Sequence, residues 1–125
     1  MSENGLGLVS NCWKIQLGAG VSLCSLVGRA IEEGFRFVEL RQGCLGECED
    51  SETRLPDADS LKELAQNFPE VTFDLAVELP YFFEPTEVAS PAVSTMLAGA
   101  RALALNDRPA HLRISRYDSA RFREF

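Results

Sequence analysis

The stretch Gly34-Phe35-Arg36-Phe37-Val38-Glu39-Leu40-Arg41-Gln42-Gly43 decides how the chain folds. Gly34 closes the helix ahead of it, an apolar run makes a strand, and two opposite charges sit near the strand's far end. Side chains alternate across a strand, so Phe37, Glu39 and Arg41 face one way and Arg36, Val38 and Leu40 the other. Glu39 and Arg41 therefore share a face where the chain enters a long polar loop. Proteins with α/β folds place functional side chains in this way, at the carboxyl ends of parallel strands.

Working upstream, Ser22 caps a helix whose apolar residues Leu23, Leu26, Val27, Ala30 and Ile31 follow helical spacing. Trp13 to Gly18 reads as the first strand, with Ile15 and Leu17 opposite Lys14 and Gln16. Residues 1–11 read as a loose leader. Downstream, the acidic loop 42–57 has no apolar period; a lid, a partner-binding loop and a disordered insertion all fit it. Ser60 and Glu63 make a capping box for a helix that Pro69 stops. Val71 to Leu79 is the third strand, with Thr72, Asp74, Ala76 and Glu78 on one face. Ser90-Pro91 starts a third long helix, and Asn106-Asp107-Arg108-Pro109 breaks it. Ala110 to Ser115 is the fourth strand, and Asp118 or Ser119 caps a last helix.

Strands alternating with helices predict an α/β fold of about four parallel βα units, a partial or half TIM barrel forming one domain over residues 12–125. Strands buried on both faces read as continuous apolar runs. These carry a polar row instead: Lys14 and Gln16, Glu39 and Arg41, Asp74 and Glu78, Arg113 and Ser115. A barrel with a polar interior accounts for the row; an α+β sheet with one solvated face is the alternative.

A complete barrel takes about 250 residues, so 125 residues supply half of one. The formal net charge of −7, with no basic cluster, argues against nucleic acid as a partner. The first ten residues lack the basic start and apolar core of a signal peptide, and no apolar run is long enough to span a membrane. Four cysteines, Cys12, Cys24, Cys44 and Cys48, do not make a disulfide framework. A cytoplasmic protein with reduced thiols is expected.

The helix LCSLVGRAIEEG followed by FRFVEL, then SLKELAQNF before a third strand, resembles the xylose isomerase-like barrels, the sugar-phosphate isomerase/epimerase group. The resemblance covers residues 13–116, with AVELPYF (76–82) and HLRI (111–114) as third and fourth strands. It implies that Glu39 lies inside the barrel and that the complete enzyme runs metal-dependent proton transfer on a sugar or sugar phosphate. The group's divalent metal (Mn, Mg or Zn) and catalytic glutamates belong to later strands, so none is expected on this chain alone. Activity then requires a homo-oligomer or a C-terminal half. VELR also resembles a strand of type I dehydroquinate dehydratases, although Glu78-Leu79-Pro80 stands where that group has Thr-x-Arg. A non-catalytic half-barrel serving as a binding or assembly module is the remaining alternative.

The candidate substrate-binding residues are Glu39, Arg41, Glu78 and Arg113. Arg41 suits a carboxylate or phosphate and Glu39 a hydroxyl; a mutual or cross-strand ion pair is the structural alternative. Asp74 and Lys14 lie deeper and neutralise buried charge. Cys44-x3-Cys48 lacks the second pair or histidine that zinc requires and reads as loop thiols. His111, the only histidine, falls at the strand end away from the active-site face. Gly18-x-Gly20 lacks the remainder of a dinucleotide fingerprint.

Overall fold

Phe35–Arg41 forms strand β2, with Val38 and Leu40 buried and Phe37 and Arg41 exposed on the opposite face. The computed structural model describes residues 6–78, 86–104 and 112–115, with side chains over 6–77 and 93–104. Strands β1 (Leu6–Val9), β3 (Thr72–Glu78) and β4 (Leu112–Ser115) complete a sheet in the order β1-β2-β3-β4, every neighbouring pair parallel. The expected α/β fold of parallel βα units is present.

Among the described residues four α-helices accompany the strands: α1 (Lys14–Gly18), α2 (Leu23–Glu32), α3 (Ala58–Asn67) and α4 (Thr86–Leu103). One face of the sheet, carrying Val38, Leu40, Phe73, Leu75 and Val77, shares a core with Leu26 and Val27 of α2, Leu61 and Leu64 of α3, and Met96 and Leu103 of α4. Each large apolar side chain buried there contributes roughly 1.5–3 kcal/mol. Gly99 lets α4 approach closely: an added Cβ would stand 3.1 Å from Pro56 and 3.3 Å from both Leu61 and Leu75. The other face of the sheet carries Glu39, Arg41 and Asp74, and Phe37 there is 42% exposed.

Several sequence expectations are corrected. The first strand is Leu6–Val9, inside the segment read as a leader, and Trp13–Gly18 is not a strand. Ser10–Trp13 is a 3-10 turn leading into α1. Trp13 and Leu17 lie four apart, so one helical face suffices to turn both inward, while Ile15 is 85% exposed. Lys14 is therefore exposed on α1, not deep in the sheet neutralising charge. The cap of α3 is Asp57, whose carboxylate accepts from the Ser60 amide at 3.0 Å; it stands three residues ahead of the expected Ser60. The fourth helix begins at Thr86 and runs through Pro91, so Ser90-Pro91 does not start it. Ser22 does cap α2, accepting from the Ser25 amide at 3.1 Å. Gly34 ends that helix at φ 97°, in the left-handed region that glycine tolerates. His111, the Pro80–Pro85 loop and the last helix lie outside the described residues.

Candidate functional site

Strand register sets the polar row. Glu39 pairs with Asp74, and Arg41 with Ala76, which in turn pairs with Arg113; Glu78 pairs with Ser115. The register sets Glu39 beside Asp74, and the backbone positions of Arg41 and Arg113 flank Ala76 one pleat nearer the carboxyl edge. Of the four expected site residues, the structure thus places Glu39, Arg41 and Arg113 in adjoining rows. Glu78 falls one further row towards that edge. For Glu78 and Arg113 the description ends at the backbone.

Glu39 and Arg41 meet directly. Arg41 Nε donates to Glu39 Oε2 at 3.0 Å, with the arginine side chain 46% exposed and the glutamate side chain 14%. The contact leaves both terminal nitrogens of the guanidinium without a hydrogen bond among the described residues. Arg41 is steadied from behind as well. Its amide donates at 2.9 Å to the hydroxyl of Ser10, a fully buried residue just past the end of β1. An arginine oriented through Nε and open at its fork is suited to a planar or tetrahedral oxyanion. Beside it, a groove of about 260 Å³ runs over Gly7, Val9, Phe37, Glu39, Thr72 and Asp74.

The second feature is the loop after β2. Residues 42–57 are an ordered loop tied to itself and to α2, not a disordered insertion. Asp50 and Leu55 bond through the backbone, Asp57 donates to the Cys48 carbonyl, and Asp50 Oδ1 accepts from the Glu52 and Thr53 amides. Those two amides hold the Asp50 carboxyl below the usual range. Glu47 accepts from the Leu23 amide at 2.6 Å and the Cys24 amide at 3.0 Å, closing the N-terminus of α2. Glu49 Oε2 accepts from the Gly43 amide at 2.9 Å; burial raises its carboxyl, with that amide and Arg54 opposing the shift. Sequence reasoning missed Ser10, Glu47 and Glu49. Two glutamates alternating in an acidic loop resemble solvated charge, and nothing local shows that they fold back onto amides.

Cys44 and Cys48 are buried beside fully buried Leu45, so this part of the loop is core. Burial, then the neighbouring Glu47 and Asp57 carboxylates, push the Cys48 thiol up to about 12. All four cysteines are free. The donors present do not fit the divalent metal that the resemblance implies for a complete barrel: among the described residues, no three His, Cys, Asp or Glu side chains converge. Among the described residues no helix is long and apolar enough to cross a membrane.

No family model, curated protein or solved structure matches the chain.

Proposed function

We propose that this chain supplies the first four βα units of a closed barrel of the sugar-phosphate isomerase/epimerase kind, in which the polar face of the sheet becomes the interior. The observation that carries this reading is Arg41, held by Glu39 through Nε with its fork open among the described residues, on the face of an all-parallel sheet opposite the described helices. In the closed assembly Arg41 and Arg113 grip the carboxylate or phosphate of a small hydroxylated substrate. Glu39 and Glu78 orient its hydroxyls, and proton transfer next to the substrate carbonyl follows on residues of the completing half. A second copy or a C-terminal half provides the closure. Among the described strands β1 and β4 are the edges, which favours such pairing, because a strand edge presents backbone donors and acceptors to a partner.

The test is an assay of aldose–ketose isomerisation and epimerisation over a panel of sugar phosphates, with added Mn²⁺, Mg²⁺ or Zn²⁺, on the assembled species. Turnover lost on the order of a hundredfold in Arg41→Ala, matching one charge-assisted bidentate contact, is the expected result. An assembled barrel that neither binds nor turns over any member of the panel sinks the proposal. The reading as a pure assembly module survives that outcome, supported by exposed Phe37 on the same face.

A further inference from the structure

At the carboxyl ends of β1 and β2 the two following loops enclose a cleft of about 600 Å³, within the range of small-molecule sites. One wall is α1 and the turn after it, with Lys14, Gly18 and Gly20; the other is the loop after β2, with Gly43, Glu49 and Arg54. Crevices outside the carboxyl ends of parallel strands are where α/β sheets bind ligands.

The charges in the cleft are unequally occupied. Both Glu47 oxygens are used by the α2 amides, and Glu49 Oε2 by the Gly43 amide. Neither the Lys14 ammonium nor the Arg54 guanidinium makes a hydrogen bond or a close salt bridge among the described residues, although Arg54 is near enough to Glu49 to act on its carboxyl. Both cations line the cleft, Lys14 from α1 and Arg54 from the loop after β2. Arg54 is also the one described non-glycine residue with positive φ, at 61°, a conformation that costs energy and that the Asp50–Leu55 turn enforces. An added Cβ at Gly18 or Gly20 would meet nothing within 4 Å, so the α1 wall is bare backbone facing open space.

We propose that this cleft binds the oxyanion of a small metabolite, a phosphate or a carboxylate, between Lys14 and Arg54. Both walls belong to this chain, so the site goes beyond the half-barrel reading and does not rest on it. Charge assistance from the two side chains supplies the attraction, and the glycine wall lets the anion approach the backbone.

The experiment titrates the full chain with inorganic phosphate and, separately, with citrate at constant ionic strength, following amide chemical shifts by NMR. Saturable shifts at Gly20, Gly43 and Ser51 are expected, and the stronger of the two probes identifies the headgroup. Lys14→Ala and Arg54→Gly should each weaken binding by about fivefold, as expected for partly exposed cations, and together remove it. Arg54→Gly keeps the left-handed backbone accessible, so it removes the guanidinium without straining the turn; unchanged thermal unfolding of the free variant confirms that the loop is intact. Absence of saturable shifts with both probes, or equal affinity in the intact double variant, overturns the proposal. Neither result depends on barrel closure, so this site and the half-barrel reading fail separately.

Discussion

Glu49 is partly buried with a single backbone donor, and burial raises its carboxyl above the ordinary value. An acid whose folded pKa exceeds its unfolded one, about 4.3, favours the folded state only while protonated. Stability is lost as pH rises from the unfolded pKa through the raised folded one. Glu49→Gln keeps an oxygen to accept from Gly43 and has no charge to bury. Its melting temperature should equal that of the parent at low pH and exceed it at neutral pH, with the gap opening just above pH 4; calorimetry across that range checks this. Glu47 predicts the reverse at its own position. Glu47→Ala leaves two α2 amides without their acceptor and should cost about 1–2 kcal/mol in denaturant unfolding. Cys48 yields a third residue-scale expectation. With its thiol near 12, its thiolate fraction at pH 8 is on the order of a thousandth of an ordinary cysteine's. Alkylation followed by mass spectrometry should modify exposed Cys12 first and leave Cys48 intact in the folded protein.

Elements were legible where a long apolar period coincided with a punctuating residue. The helix ending at Gly34 and strand β2 could be read from spacing alone, because burial of Leu23, Leu26, Val27 and Ala30 on one side and of Val38 and Leu40 on the other follows two distinct periods. Trp13–Gly18 could not, since over six residues Trp13 and Leu17 fit both an alternating and an i, i+4 pattern, and only Ile15, 85% exposed, separates the two. The real first strand has four residues, Leu6–Val9, too few for any period. It is positioned by pairing with β2 and by the Ser10 hydroxyl on the Arg41 amide, contacts with no local trace. For the site, the Glu39–Arg41 face was legible from alternation, whereas the cleft was not, because it depends on how two loops meet. Helix α4 carries its own test. Gly99 lowers helix propensity, so Gly99→Ala should gain up to about 1 kcal/mol in an isolated helix. Contacts of 3.1–3.3 Å to Pro56, Leu61 and Leu75 predict instead a net loss, and Gly99→Val a larger one, roughly 1–3 kcal/mol from overpacking. Urea denaturation of both variants separates packing from propensity.

At the scale of the whole molecule the unbalanced quantity is cover. Parallel sheets are found almost entirely with both faces buried, yet among the described residues helices α2, α3 and α4 lie on one face, and Phe37 on the other is 42% exposed. The strand order β1-β2-β3-β4 leaves β1 and β4 as edges pointing in the same direction. A two-fold axis parallel to the strands then sets β4 of one copy beside β1 of the next, and β1 beside β4. That arrangement closes eight strands and encloses both Phe37 side chains with the polar rows. Its consequence is measurable by sedimentation velocity across a wide concentration range: the chain should run as a dimer, and Phe37→Glu should run as a monomer. The substitution sits on the exposed face, so the variant should keep the parent's far-ultraviolet circular dichroism. A parent that stays monomeric throughout, or a dimer that Phe37→Glu leaves undisturbed, would mean that two copies do not close through this face.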